Sequence, residues 1–455
     1  MDRIRLLPVL AACQALGIWL ADRGDWPSEA ALALGCAASM LGVLPTRRAI
    51  RSDLARAALA AAVAFAFGAY SISVRLETAA RSRPIRAMER TVEATVADTA
   101  SGPGWTRVEL VDAIDVGSAI PVGRIRVLGG RAQPGIPGIE TVAVGTRVRA
   151  RLTTRAYRGA ANPGSELRER ELERAGIGSV ARLVHPAMYV SVFGGARFSP
   201  TGRLARPRQS IGERLARAGR GSELIRALAI GDKADLDSAT RKAFQRLGLS
   251  HLLAISGLHL ALVGSFGFAL FRFAAARSAW FAARFDARTA GLLAALALAS
   301  GYALVAGWGV PVRRALVLLF ALALAVGRGR AVVRAEPIAI ASMGVLTVEP
   351  GALFDPGAQL SFAAATAMAY SAARPPADVP ASRLRRMAVV VSDALRASAS
   401  AIAATAPVAA WQFGTAAPSA LVANLLAIPC TGFVLLPSAL FAAAASCLGI
   451  QLPAI

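Results

Sequence analysis

Runs of about twenty apolar residues recur along this chain, the length a helix needs to cross the ~30 Å hydrocarbon layer of a bilayer. Inside that layer no water can satisfy a backbone amide, so each such run must be a helix or belong to a closed barrel. The chain has 455 residues, 55% of them hydrophobic, with a mean hydropathy of +0.51, which is too apolar for a soluble protein of this size. The formal charge is +23, and Lys233 and Lys242 are the only lysines, so nearly all the basic charge is arginine. Arginine suits phosphate recognition, marks cytoplasmic loops and also follows GC-rich coding. The charge therefore does not by itself establish a nucleic-acid partner. Cys13, Cys36, Cys430 and Cys447 all lie in apolar runs without CxxC spacing or a histidine cluster, and read as small hydrophobes.

The pattern predicts transmembrane helices over 6–21, 29–45 and 54–74 in an N-terminal region 1–75. The basic start followed by an apolar run mimics a signal peptide, but no cleavage site separates it from the next runs, so a retained anchor is expected. Arg47, Arg48, Arg51 and Arg56 crowd the second connection, whereas the first carries Asp22 and Asp25. The positive-inside rule then puts the N-terminus in the cytoplasm and everything after the third helix outside.

Over 88–185 the period changes to two. Strands are expected at Thr91–Asp98, Arg107–Asp115, Arg124–Leu128, Thr146–Thr154 and Ser179–Val184, with Gly/Pro clusters between them. Five short strands in a domain of this length suit an OB-like barrel. Arg147, Arg149 and Arg151 alternate with aliphatic residues and face solvent, either as a plain solvated face or as DNA-phosphate contacts. Trp105 and Tyr157 are the main candidates for base stacking.

The region 200–248 reads as amphipathic interfacial helices. Arg203, Arg206, Arg208, Arg214, Arg217 and Arg220 accompany Leu204, Ile211 and Leu215 at helical spacing. Such a helix lies on the outer lipid surface or meets a nucleic-acid backbone. Asp232, Asp235 and Asp237 hint at a cation site, but Asp237-Ser238 is the better reading as the N-cap of a helix through Leu247. No metal site and no cofactor is expected.

From 249 to 455 the chain reads as membrane domain, with helices expected near 251–271, 290–309, 312–327, 337–349, 357–373, 388–413, 419–436 and 437–450, the last pair open to a re-entrant segment. Arginine-rich connections alternate with ones carrying Glu349 and Asp355 or no charge, which gives the same topology as the N-terminal half. At its head stands Leu249-Ser-His-Leu-Leu-Ala-Ile-Ser-Gly-Leu-His259, with two of the three histidines. His251 and His259 either donate to carbonyls of neighbouring helices or do functional work, since ionisable groups in a span are costly. Ser256-Gly257 loosens the helix. With His259 one turn on, Ser256 also admits an intramembrane hydrolase, though no acidic orienter is near. Arg313 and Arg314 follow a Gly/Pro break, as snorkelling residues or as phosphate contacts at a pore mouth. Gln359, Ser361, Gln412 and Asn424 are polar groups in apolar helices, either interhelical glue or the lining of a water-filled path.

Four stretches carry a resemblance. They are Ala229-Ile-Gly-Asp232 with His251-Leu-Leu-Ala-Ile-Ser-Gly-Leu-His259; Val312-Arg-Arg-Ala315; Glu349-Pro350 with Gln359-Leu-Ser-Phe362; and Phe413-Gly414 with Ala423-Asn-Leu-Leu-Ala-Ile-Pro429. In order and spacing the chain resembles the ComEC family of competence DNA-uptake channels, with Ser165-Glu166 where the family commonly has Gly-Phe-Asp. The resemblance implies a polytopic α-helical membrane protein with an inserted extracytoplasmic OB-like β-barrel domain, in the inner membrane. It implies passage of one DNA strand into the cytoplasm during natural transformation. The implied partners are that strand, membrane lipid, a cytoplasmic helicase or translocase and a periplasmic DNA receptor, with room for a homo-oligomer. No His-x-His-x-Asp-His motif and no nucleotide-binding loop occurs, so a non-enzymatic channel is expected, in a form without the family's C-terminal metallo-β-lactamase-like domain. Transport of another solute or lipid is the alternative.

Overall fold

The computed structural model describes residues 6–24, 27–43, 53–102, 105–129, 142, 145–157, 165–185, 188–192, 208, 210–217, 219, 221–232, 236–249, 251–253, 255, 257–277, 286–307, 310–327, 335–371, 383–414 and 419–447. Two compact units divide it: Met1–Arg206 with Leu346–Leu353, and Pro207–Val345 with Phe354–Ile455.

The first unit starts with helices Leu6–Gly24, Ser28–Val43 and Asp53–Arg81. The first and third press together through glycine. A Cβ at Gly17 would lie 2.0 Å from the Phe65 carbonyl oxygen, and one at Gly68 would lie 2.2 Å from the Gln14 carbonyl oxygen. With no hydrophobic drive between helices in lipid, such backbone approach is what holds them. The Ser28 amide donates to Glu77 at 2.6 Å, so the second helix is tied by its first turn to the end of the third.

The barrel strands are β1 (Met88–Gly102), β2 (Trp105–Asp115), β3 (Pro121–Gly129), β4 (Arg147–Arg155), β5 (Ile177–Leu183) and β6 (Tyr189–Val192). Their order is β1-β2-β3-β5-β4-β6, and β1 also pairs with β4, closing a five-strand barrel. Only β3 and β5 run parallel. All five expected strands are present, and the closed order is OB-like. β4 alternates strictly, with Val148, Ala150 and Leu152 buried in the core with Val96, Leu110 and Ile125. Two elements escaped the sequence reading: β6, and the charged helix Ser165–Arg174 between β4 and β5.

That helix locks the barrel to the apolar helices of its own unit. Arg174 donates through Nε and Nη2 to Asp22 at 2.8 and 2.7 Å, and Asp22 is buried. A Cβ at Gly178 would lie 2.1 Å from the Ala79 carbonyl oxygen, so the start of β5 touches the last turns of the third helix. Arg75 donates to the Val348 carbonyl at 3.2 Å. The first connection, the barrel and the segment after Val348 therefore share one end of the unit.

In the second unit the helical residues 210–216 do not lay their apolar face on lipid as expected. Ile211 and Leu215 are buried against Leu228, Ile230, Ala439 and Ala442, because protein surface at hand covers them better than an interface would. Arg203, Arg206 and Arg220 lie outside the described residues. Helix Ser238–Arg246 begins as expected, with Asp237 accepting from the Ala239 and Thr240 amides. Helices Gly257–Arg277, Ala287–Val305, Val310–Gly327, Ala335–Val348, Pro356–Ser371 and Arg383–Phe413 match the expected runs. The expected pair 419–436 and 437–450 is instead continuous: Ala420–Cys430, a π-helical turn Thr431–Leu435, then Leu436–Cys447. Pro429 and Pro437 each remove a backbone donor, and the wider turn between them absorbs the misfit without ending the helix. Among the described residues, five helices are long and apolar enough to cross a bilayer: Leu6–Gly24, Ala57–Arg81, Gly257–Arg277, Ala287–Val305 and Ala420–Ser446.

The glycine contacts make a test. Gly17→Leu and Gly68→Leu are expected to cut the monodisperse, detergent-extracted fraction sharply, consistent with about 1–3 kcal/mol for overpacking. Gly35→Ala, whose Cβ would meet only the Ala66 methyl at 3.4 Å, should behave as wild type in size-exclusion chromatography.

Candidate functional site

Residues 226–232 make a corner packed against Ile255, Tyr302 and Ala306. Helix Ser222–Ile230 ends at Gly231, whose φ of +71° suits glycine, and a Cβ there would come within 3.1 Å of the Ala306 carbonyl oxygen. Beyond it Asp232 turns back, and its Oδ2 accepts from Nε and Nη2 of Arg226 at 3.1 and 2.7 Å, with Arg226 buried. Arg208 donates twice to the Ile230 carbonyl, at 3.2 and 2.9 Å. Its guanidinium also occupies the space that a Cβ at Gly307 would need, 2.7 Å from Cζ. The Tyr302 hydroxyl donates to the Leu228 carbonyl at 3.3 Å. Ile230, Gly231 and Asp232 are thus engaged in shaping this corner, and Asp232 is an ion-pair partner here.

His251 was expected inside a span. It lies instead in an exposed turn before the helix, with Nδ1 3.1 Å from the Gly248 carbonyl. Gly248, at φ +70°, ends the preceding helix, and the Leu252 amide donates to the Leu249 carbonyl, so the chain turns before it can enter a helix. Ser256 lies outside the described residues. Gly257 is the exposed first residue of its helix, and His259, one turn in, is fully buried. Around that helix start Ile255, Leu260, Val263, Tyr302, Ala303, Ala306 and Val312 form one apolar cluster.

Arg314, offered above as a snorkelling side chain or a phosphate contact, is buried and paired. Its Nη1 donates to Asp355 Oδ2 at 2.6 Å. The same carboxylate caps helix Pro356–Ser371 by accepting from the Ala358 amide at 2.7 Å. Helix Val310–Gly327 and helix Pro356–Ser371 are thus pinned start to start. Arg313 is half-buried. On the capped helix Gln359 is half-buried and Ser361 exposed, while Gln412 is exposed near the end of its own helix. Asn424 is buried, and its Nδ2 donates to Ser398 Oγ at 3.3 Å, joining Arg383–Phe413 to Ala420–Cys430. The polar set therefore occupies several surroundings: His259 and Asn424 inside, and Gly257, Ser361 and Gln412 outside.

On the barrel, Glu93 bonds both Arg147 (2.7 Å) and Arg149 (3.0 Å), and Glu89 bonds Arg151 at 3.3 Å. The Arg149 hydrogen bond, with Arg147 beside it, holds the Glu93 carboxyl below the usual glutamate range. Its stabilising charge is present above about pH 4.3 and lost as the pH falls below it. Sequence reading saw the arginine row and missed the acid row opposite, although Glu89 and Glu93, four apart on one strand, must share a face. Arg214 donates to the Ser446 carbonyl, and Arg217 is exposed. Among the described residues no three His, Cys, Asp or Glu side chains gather as a metal site would require.

Residues 228–455 match the family described as Competence protein, half of the chain. The chain is 37% identical over 155 residues to Competence protein ComA of Neisseria gonorrhoeae, covering 34% of this chain and 22% of that one. It is 38% identical over 106 residues to Recombination protein 2 of Haemophilus influenzae, covering 23% of this chain and 13% of that one. No solved structure matches significantly.

The pairing of Arg314 with Asp355 yields an expectation. Asp355→Asn alone strands the buried Arg314, a loss typically of about 3–5 kcal/mol, while Arg314→Gln leaves the half-exposed Asp355 without its cation at a smaller cost. Either variant should melt earlier in detergent than a chain carrying both Arg314→Met and Asp355→Asn. Equal melting of all three would remove the pair from the account.

Proposed function

Because the chain belongs to the ComEC family of competence proteins, we propose that it forms the inner-membrane channel through which one DNA strand enters the cytoplasm during natural transformation. The observation that carries the reading is the family match over 228–455, which spans the corner, the His259 helix and the Arg314–Asp355 pair. Supporting it, the N-terminal unit carries a closed five-strand barrel of OB-like order, an architecture used elsewhere for oligonucleotides.

The topology proposed places the N-terminus in the cytoplasm and the barrel outside. Two lines favour it. The arginine-rich connections fall on one side by the positive-inside rule. The first connection, the barrel and the Pro350–Leu353 segment share one end of their unit, and they are the parts that this rule sends outward. Energy would come from a cytoplasmic helicase or translocase. A periplasmic receptor would deliver the duplex.

Phosphate attraction would fall to the barrel row and the exposed Arg217, within the limit that Glu89 and Glu93 set. Glu93→Gln releases Arg147 and Arg149 from their carboxylate. The purified chain should then bind single-stranded DNA more tightly, with a log–log salt slope steeper by about 0.7 per added phosphate contact. An unchanged slope in a filter-binding titration removes this face from DNA contact.

The deciding measurement is transformation in a deletion strain, followed with labelled double-stranded DNA. The expected outcome is loss of transformants while DNA still reaches a protected compartment outside the inner membrane. In complemented cells, His259→Ala and Asn424→Ala should each lower transformation by roughly tenfold or more, about 1.4 kcal/mol on the transport barrier, at normal protein abundance. If both transform like wild type, these two residues do not line the path.

A further inference from the structure

The lower end of the barrel carries apolar side chains that its core does not use. Ile85 is 94% exposed, Ile120 62%, Met88 49% and Val116 44%, while the core is built from Val92, Val108, Ile125, Leu152 and their neighbours. Strand register puts these residues at one end. Val92 pairs with Asp115, Ile114 with Pro121, and Arg124 with Ile177, and the Val116 amide donates to the Thr91 carbonyl at 2.8 Å. The start of β1, the β2–β3 turn and the starts of β3 and β5 therefore lie together.

Three contacts fix how far this end stands from the apolar helices of its own unit. Arg174, just before β5, is bonded to Asp22 at the end of helix Leu6–Gly24. Gly178 meets Ala79, and Gly123 meets Ser82, in the last turns of the third helix. The apolar part of that helix, Ala57–Val74, is about 27 Å long at ~1.5 Å per residue, close to the ~30 Å hydrocarbon layer. Arg75 to Ser82 then runs through the headgroup layer, and the barrel base stands beside it. Arg81 and Arg86 are exposed at the same place. Apolar tips ringed by arginine are the composition of an interfacial lipid contact.

We infer that the barrel base, through Ile85, Met88, Val116 and Ile120 with Arg81 and Arg86, sits in the lipid headgroup layer and binds anionic phospholipid there. This rests on reading the neighbouring helices as membrane spans. The barrel is thereby held against the bilayer at a fixed height. The occupant is lipid and not nucleic acid, since the patch is aliphatic and offers no aromatic ring to a base.

The test uses the full chain with Cys13, Cys36, Cys430 and Cys447 changed to Ala. Single cysteines at Ile120→Cys, Thr99→Cys and Phe67→Cys are labelled with bimane. The chain is reconstituted in phosphatidylethanolamine/phosphatidylglycerol vesicles carrying a nitroxide on the lipid headgroup or on the acyl chain. Both leaflets hold the quencher, so insertion direction does not matter. Phe67, exposed on the third helix, reports the span itself, and Thr99, paired with Val108 near the β1–β2 hairpin, reports the far end of the barrel. The expected result is headgroup quenching several-fold stronger at Ile120 than at Thr99, with acyl-chain quenching at Phe67. If Phe67 is quenched and Ile120 is not, the lipid contact is overturned and the spans stand. If Phe67 escapes the acyl-chain quencher, the span reading fails and the lipid contact falls with it. Quenching at Ile120 that single-stranded DNA abolishes would mark the patch as a nucleic-acid face and overturn the inference.

Discussion

A guanidinium withdrawn from water must find an anion, and in a chain whose cations are almost all arginine this requirement fixes where elements end. Three pairs meet it. Arg174 holds Asp22 at the end of the first helix. Arg226 holds Asp232 around the end of its own helix. Arg314 holds Asp355 between two helix starts. A buried pair adds little net stability over an apolar substitute, but a single stranded charge is costly. Such pairs therefore act against wrong registers more than for the right one. A slip of either helix by one turn would part Arg314 from Asp355 and also uncap the helix that Asp355 begins.

The barrel handles charge in the opposite way. Along the β1–β4 seam its arginines are outside, where pairing is weakly stabilising and easily screened, whereas Arg126 on β3 is mostly buried and paired with Glu109 at 2.7 Å. Arg147, Arg149 and Arg151 nevertheless meet Glu93 and Glu89 across β1 and β4, the two strands whose pairing closes the barrel. The ladder marks the register of that seam, because shifting β4 by one residue would turn its arginines into the core. What remains available to a polyanion on this face is less than the count of arginines suggests.

Helices and strands were legible because their periods differ and their burial is extreme. β4 reads apolar and arginine by turns, and the membrane helices read as unbroken apolar runs. The helix Ser165–Arg174 was not legible, since its only apolar residues are Leu167 and Leu172 and its docking depends on Asp22, far off in sequence. The four-residue β6 carries too little pattern to stand out. The apolar pattern divides this run into helices 419–436 and 437–450, but two prolines flanking one π-helical turn are carried by a continuous helix. The partner of Arg314 lies 41 residues away, and no local signal announces it. His251 was over-read as intramembrane because an apolar neighbourhood hides the turn that Gly248 starts.

The corner at 226–232 bears on how the motif itself should be understood. Gly231 is needed because the chain turns left-handed against Ala306, Asp232 because Arg226 is buried, and Ile230 because its carbonyl receives Arg208. These three residues shape the corner, so this part of the stretch that carries the family resemblance is a signature of architecture. Polar groups left for transport are sought elsewhere in the matched region. Asn424 fits that description: its Nδ2 is used by Ser398, while its Oδ1 is buried with no hydrogen-bond partner among the described residues. A half-satisfied amide between two apolar helices is an expensive arrangement if its only task is adhesion. A water or another polar group at that oxygen would supply the missing donor, which is what the channel proposed above would bring to Asn424.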